Sequence, residues 1–374
     1  METLFRRAPE RATSRVRRRR SAARRLRIGL VASVRFPIAQ PFAGGLEAHT
    51  WTLGRELRRL GHEVVLFAGA GSDPAAGEVV TLSMPSPLSQ AARADVASPP
   101  EHFMAEHRAF QQIMLRLADG VDAVDVVHNN SLHYLPLAMA QLVSAPVVVT
   151  LHTPPTPWVE AGLRDGLAHV HCVAVSHDTA ARWHPVVGPM PVLSNGVPAE
   201  LWPAGPGGGP LVWFGRMVSE KGPDLAIRAA ARLGRPLVLA GPLHDRAFWR
   251  EHVRPLLSDS VRYAGHLDHT ALAELVGRAS AVLVTPRWDE PFGLVAVEAM
   301  LCGTPVAAFD RGGLREVVSR VAGALAAPDD VEALADAVVR AVALDRSAVR
   351  GWALREFSAT AMAARYQDLY RSLV

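Results

Sequence analysis

Short β-branched runs alternate with helical patterns along this chain, a Pro- and Gly-rich stretch interrupts them, and the alternation then starts again. This pattern constrains the fold more than any other feature. A strand that reads as one continuous apolar run is buried on both faces, as in a parallel sheet covered by helices. "LRIGLVASV" (26–34), "EVVLFAG" (63–69), "VDVVH" (124–128), "APVVVTLH" (145–152) and "HCVAVS" (171–176) are runs of this kind. Between the first two, Leu46, Leu53, Leu57 and Leu60 recur at helical spacing. The interruption is "WHPVVGPMPVLSNGVPAELWPAGPGGGP" (183–210), which reads as a linker. Beyond it "PLVWFG", "PLVLAG", "VRYAGH", "AVLVTP" and "TPVAAF" read as strands, with helices over 224–233, 270–279 and 293–302 and an amphipathic helix over 358–374.

At 374 residues the chain has room for two such α/β units. The expected division is a basic disordered tail (1–25), an N-terminal doubly wound domain (26–190), a linker (191–209), a second doubly wound domain (210–355) and a C-terminal helix (356–374) that packs back toward the first domain. Two such domains facing each other make a cleft, with ligands at the carboxyl ends of their strands. The formal charge of +4 is uneven: residues 1–27 hold eleven arginines against Glu2 and Glu10, so the remainder carries −5. The tail lacks the apolar core of a secretory signal. It reads as a disordered extension or over-extended start, or else as a contact for anionic lipid or nucleic acid. The body has no basic stripe for nucleic acid. No run of about 18 apolar residues predicts a membrane span. Cys172 and Cys302 sit in apolar runs, as buried free thiols in a reducing cytoplasm do, and no Cys/His spacing suggests a metal site.

Four loops after strands carry the candidate chemistry. "FAGGLEAHT" (42–50) places Gly44 and Gly45 before a helix whose free N–H groups suit an anion, although GxGxxG, the dinucleotide fingerprint, is absent. Glu47 and His49 lie in the same loop. "VHNNSLHY" (127–134) supplies Asn129, Asn130 and His133; "HTPPTPW" (152–158) supplies His152 and Trp158. In "FGRMVSEKG" (214–222), Arg216 and Lys221 can converge on one anion around a turn. Lys221 is the chain's only lysine among 40 Lys and Arg residues, which points to a position where a compact ammonium is needed and a guanidinium does not serve. The richest stretch is "PRWDEPFGLVAVEAMLCGTPVAA" (286–308). It sets Glu290 before a helix and Glu298 within it, with free N–H groups at Leu294 and Val295. One segment can thus hold a sugar, a diphosphate and a ribose.

These residues resemble the GT-B glycosyltransferases of the large retaining family 4, over about residues 26–372. The resemblance rests on "GGLE", the post-strand His152, "SNGV" (194–197), "FGRMVSEKG", "YAGH" (263–266), "EPFGLVAVEAMLCGTPV" and "RGGLREVV". It implies two Rossmann-like domains, the first for the acceptor and the second for a nucleotide sugar. It also implies that Arg216 and Lys221 bind the donor diphosphate, and that Glu290 holds sugar hydroxyls with backbone help from Phe292, Gly293, Leu294 and Val295. Glu298 would take the ribose, and Gly265 and His266 would lie near the base. Gly44, Gly45, Asn195 and Gly215 would also face the donor, and His152 would sit beside the reacting centre. The acceptor would meet Glu47, His49, Asn129, Asn130, His133 and Trp158. Arg287 departs from the small polar residue that often follows this proline.

The expected function is therefore retaining transfer of a hexosyl group, from a UDP-sugar by family frequency, to a sugar, small natural product or lipid head group. No DxD motif occurs, so no cofactor or essential metal is expected. A nucleotide-sugar epimerase of the same fold and a non-catalytic nucleotide-sugar-binding protein are the alternatives. An NAD-dependent oxidoreductase is disfavoured by the missing glycine fingerprint. The expected location is cytoplasmic, with peripheral membrane contact left open.

Overall fold

The computed structural model describes residues 24–81, 89–95, 97 and 99–374. The expected basic tail lies outside the described residues except at its end, where Arg24 and Arg25 pair with Asp125 and Glu63. The N-terminal half is one parallel sheet of six strands: β1 (Arg27–Val31), β2 (Glu63–Ala68), β3 (Glu78–Thr81), β4 (Val126–Asn129), β5 (Val147–Leu151) and β6 (Val170–Ala174), in the order β3-β2-β1-β4-β5-β6. The second half repeats the plan with β7 (Leu211–Phe214), β8 (Leu237–Ala240), β9 (Val261–Tyr263), β10 (Val282–Val284), β11 (Val306–Phe309) and β12 (Gly323–Ala326), in the order β12-β11-β10-β7-β8-β9. Helices cover both faces of each sheet, which is why β1, β4, β5, β7 and β8 are almost wholly buried. This is the two-domain Rossmann-like GT-B architecture.

The strand order locates the chemistry. In the first sheet β1 pairs with both β2 and β4, so the chain turns opposite ways out of β1 and β4 and a crevice opens between their carboxyl ends. In the second sheet β7 and β10 hold the equivalent positions. The loops at these two crevices are the ones rich in Gly, Asn, Arg, Lys and Glu.

The linker differs from its reading in the sequence. The helix His177–Val187 runs through Trp183, whose ring is fully buried and whose Nε1 donates to Thr153 O at 2.7 Å. The glycine run is bound rather than loose. Gly205, Gly207 and Gly209 donate to Cys302, Gly277 and Arg278 carbonyls, and a Cβ at Gly205 would collide with the Gly277 carbonyl. The Arg346 guanidinium gathers the carbonyls of Ala279, Gly205, Gly277 and Cys302 around it.

The C-terminal helix Ala359–Leu373 crosses back and becomes part of the N-terminal core, with Met362, Ala363, Tyr366 and Tyr370 buried against Ile28, Leu53 and Val148. Polar contacts fix its register. Tyr370 OH lies 2.6 Å from His128 Nδ1, His128 Nε2 lies 2.8 Å from Thr150 Oγ1, and Thr150 Oγ1 lies 2.8 Å from Tyr366 OH. His62 Nδ1 accepts from Leu26 N at 3.1 Å, so its Nε2–H is free to donate to Gln367 Oε1 at 2.9 Å.

Tyr370→Phe leaves the buried His128 Nδ1 without its partner. It is expected to lower unfolding stability by about 1–3 kcal/mol with little change in shape, measured by urea denaturation monitored by circular dichroism.

Candidate active site

A cleft of about 960 Å³ lies between the two sheets' carboxyl edges. Of the residues expected to touch donor or acceptor, Gly44, Gly45, Glu47, His133, His152, Trp158, Asn195, Gly215, Arg216, Lys221, His266, Glu290, Phe292, Gly293, Leu294, Val295 and Glu298 line it. The halves meet closely: a Cβ on Gly45 would stand 3.0 Å from Leu294 Cδ1 across the cleft.

Lys221 and Glu290 come from the β7 and β10 loops and meet at the crevice, Nζ to Oε2 at 2.6 Å, both largely buried. Trp288 supports both: its Nε1 donates to the same Glu290 oxygen at 3.1 Å, and Lys221 Nζ sits 4.9 Å from its ring centroid. The Lys221 loop is pinned from beneath by Thr285. Its hydroxyl lies 2.7 Å from Gly222 O and 3.0 Å from Trp213 Nε1. Arg216 lines the same cleft nearer solvent and pairs with Glu220 at 2.7 Å. The helix Leu294–Leu301 starts at Gly293, so its first N–H groups, which have no intrahelical partner, face this cluster. Glu298 lies one turn in, and burial pushes its carboxyl up to about 7.

The "RGGLREVV" segment places Glu290. Gly313 N donates to Glu290 O at 2.7 Å. Gly312 has φ +58°, and a Cβ there would collide with the Glu290 backbone. Glu316 of the same segment reaches the other half, where its carboxylate accepts from His177 N at 2.8 Å and Asp178 N at 2.9 Å, capping that helix. Arg182 and Asp289 add a second cross-contact at 2.9 Å.

Arg287 does not face the cleft as a sugar-binding residue would. It forks onto Asp224 at 2.9 and 2.6 Å and reaches Ser219 O, bracing the Lys221 loop against the Glu290 loop.

Three residues expected at the acceptor are corrected. His49, Asn129 and Asn130 are buried at 2%, 0% and 0% exposure and stand behind the wall rather than on it. Asn130 Oδ1 lies 3.1 Å from His152 Nε2, so it orients the ring that does line the cleft. His49 packs edge-on against His152, centroids 4.6 Å apart. Gly265 is also off the wall; its carbonyl accepts from Gly241 N. Asn129 Nδ2, Asn130 Nδ2, Asn195 Oδ1 and both His49 ring nitrogens are buried without hydrogen-bond partners among the described residues. Glu47 lies against Gly44 at the start of its own helix; burial raises its pKa, and the backbone N–H groups of Glu47 and Gly44 and the charge of Arg216 oppose that rise. Sequence reasoning passed over Trp288, Thr285 and Trp213, because an aromatic or a threonine at a strand end reads equally well as core.

Comparison with known proteins gives the family. The family model described as glycosyl transferases group 1 matches residues 210–350, and that described as Glycosyltransferase Family 4 matches residues 43–201. Glycogen synthase of Mycobacterium tuberculosis is 31% identical over 355 residues, covering 82% of this chain and 84% of that protein. D-inositol 3-phosphate glycosyltransferase of Frankia alni is 30% identical over 368 residues, covering 81% and 88%. Among solved structures, sucrose-phosphate synthase from Thermosynechococcus elongatus superposes with TM-score 0.73 at 23% identity, covering 93% of this chain and 99% of that one. Anabaena HepE in complex with UDP-glucose gives 0.71 at 19% identity, covering 93% and 100%. The chain belongs to the group 1 glycosyltransferases of family 4, and it is a glycosyltransferase that uses nucleotide sugars. No helix among the described residues is long and apolar enough to cross a membrane.

Two predictions follow from the packing behind the cleft. Gly312→Ala places a methyl against the Glu290 backbone and strains a left-handed φ by about 1–2 kcal/mol; kcat/KM for transfer is expected to fall at least about tenfold, with the far-ultraviolet circular dichroism spectrum retained. The second concerns pH. Burial holds His49 down to about 4 and His128 down to about 3, and His152 well below its ordinary value. At these three rings the folded state therefore binds fewer protons than the unfolded one, while the raised Glu298 carboxyl offsets part of the difference. Stability is fully present above about pH 6.5 and is lost as pH falls, by about 1.4 kcal/mol per histidine per pH unit. The melting temperature is expected to hold from about pH 7.5 to 6.5 and to drop steeply from there to about pH 4.5, and a flat profile over that lower range in calorimetry would contradict the neutral buried state of these rings.

Proposed function

We propose that the protein moves a hexosyl group from a nucleotide diphosphate sugar, a UDP-sugar foremost, to a hydroxyl of an acceptor, with retention at the anomeric carbon and without a metal ion. The observation that carries this reading is the Lys221–Glu290 pair beside the start of the helix Leu294–Leu301. A cation and a carboxylate 2.6 Å apart suit the junction of a sugar nucleotide, where phosphate oxygens adjoin sugar hydroxyls. The same fold carries UDP-glucose in Anabaena HepE.

In the proposed mechanism the bond from the anomeric carbon to the diphosphate breaks while the acceptor oxygen bonds to that carbon on the same face. The acceptor proton passes to the departing phosphate oxygen. Negative charge grows on the diphosphate, and Lys221, Arg216 and the N–H groups of Leu294 and Val295 stabilise it more in the transition state than in the ground state. Glu290 holds sugar hydroxyls. Glu298 takes the ribose diol, whose hydroxyls favour its ionised form. His152, held by Asn130, orients the reactants. We place the reaction in the cytoplasm: Cys172 and Cys302 are free, and burial pushes both thiols up to about 12, so neither requires an oxidising compartment.

The test is donor turnover with UDP-, GDP- and ADP-glucose. Lys221→Ala and Glu290→Ala are each expected to lower kcat/KM by about 10²-fold or more. Lys221→Arg is expected to be similarly impaired, because the longer, planar guanidinium spreads the charge away from the single point where Nζ meets Glu290; a fully active Lys221→Arg enzyme sinks the clamp. Turnover is expected to survive EDTA, and the product glycoside to keep the donor's anomeric configuration by NMR.

A further inference from the structure

The N-terminal wall of the cleft, opposite the Lys221–Glu290 pair, is aromatic and carries little net charge. Trp158, Phe36 and Leu132 line it and remain 42%, 49% and 41% exposed. Most large apolar side chains of this protein are buried, so three together on the wall of one cleft form an apolar surface in need of a partner. Trp158 is fixed from behind. Thr156 caps its helix, accepting from Val159 N, and Pro157 starts the first turn. Its ring stacks on His133 (5.4 Å between centroids, 29°) and Tyr134 (5.1 Å, 27°) and leans on Phe103 (5.6 Å). His133 stacks in turn on Phe110 at 4.5 Å.

The charges on this wall largely offset one another. Arg35, its one arginine among the described residues, pairs with Glu106, Nε to both carboxylate oxygens at 3.1 Å. His133 is pushed down to about 4 by burial, with the charges of His107 and Arg35 adding to the shift, so it is neutral near pH 7. Its Nδ1 already accepts from Leu135 N. Glu47 adds a carboxyl on the same side.

Resting on the transferase reading above, we infer that the acceptor is an uncharged hydroxylated ring with an apolar face, a glycoside, which stacks on Trp158 between Phe36 and Leu132. A phosphorylated polyol is the less favoured acceptor, since the cation on this wall is already paired with Glu106. The C–H bonds on one face of a pyranose carry slight positive charge and lie flat on the electron-rich face of an indole. The opposite edge then presents hydroxyls toward His152 and the anomeric carbon. Relatives of this chain include a D-inositol 3-phosphate glycosyltransferase, so the uncharged acceptor distinguishes this wall from that chemistry.

The test uses the full chain and two readouts. Calorimetric titration with p-nitrophenyl glucoside, glucose 6-phosphate and inositol phosphate, each in the presence of UDP, is expected to show binding of the uncharged glycoside alone. Trp158→Ala is expected to weaken that binding by about tenfold or more and Trp158→Phe to restore most of it, whereas loss of a merely structural tryptophan would not be rescued through the ligand's affinity. UDP titration of each variant reports on the opposite wall and checks that the cleft is intact. Preference for either phosphate, or unchanged glycoside affinity in Trp158→Ala, overturns the inference. Failure of the wild-type protein to bind UDP or turn over any nucleotide sugar would instead overturn the transferase reading.

Discussion

Covering both faces of a parallel sheet with helices leaves the strand ends as the edge where polar side chains can gather without losing water or partners. Everything functional in this protein follows from doing that twice. Each sheet has one position where the chain departs in opposite directions, β1/β4 in the first and β7/β10 in the second, and the loops there bring Lys221, Glu290, His152 and the glycines of residues 44–45 to one cleft. The cores beneath are ordinary: Val, Leu, Ala and Ile at the strand centres, aromatic residues toward the helices.

Buried ion pairs are costly to assemble and costlier to break from one side; removing one partner typically costs about 3–5 kcal/mol. The second domain uses two partly buried pairs side by side, where the cost is smaller. Asp224–Arg287 is bidentate and joins the bases of two loops, while Lys221–Glu290 joins their tips. The first pair suits a guanidinium, whose fork matches a carboxylate. The second suits an ammonium, which can meet Glu290, the Trp288 face and a further anion from one point. The solitary lysine therefore stands next to an arginine that does a different job in the same pair of loops.

Much of this was legible in the sequence. Ten of the twelve strands announce themselves as short apolar runs. The two that do not, β3 and β12, lie at sheet edges: β3 reads Glu-Val-Val-Thr, half exposed with polar residues at both ends, and β12 reads Gly-Ala-Leu-Ala with no β-branched residue. Spacing pointed to Glu290, Glu298, Arg216 and Lys221, which do line one cleft, because they belong to loop-and-helix segments whose direction a sequence fixes locally. It set His49, Asn129 and Asn130 on the wall, whereas they stand behind it, since a polar residue at a strand end or in the first turns of a helix can face the cleft or back the residue that does, and tertiary packing alone decides. Trp288 meets Glu290 within one loop, but which way its ring turns depends on Lys221 from another; the Gly312–Gly313 turn meets Glu290 from a separate loop, so no local pattern announces its part.

The chain passes between the domains twice, and the two passages lie side by side. Val197 N donates to Phe357 O at 2.9 Å and Ala359 N to Val197 O at 3.1 Å, a single rung of parallel ladder. A cleft joined by one strand can twist, slide and splay. One joined by a paired ribbon resists shear, because sliding either passage along the other breaks both hydrogen bonds, while bending across the ribbon keeps them. The register of the two passages, and with it the approach of Gly45 to Leu294 across the cleft, is thereby tied to a single rung whose hydrogen bonds any sliding would break.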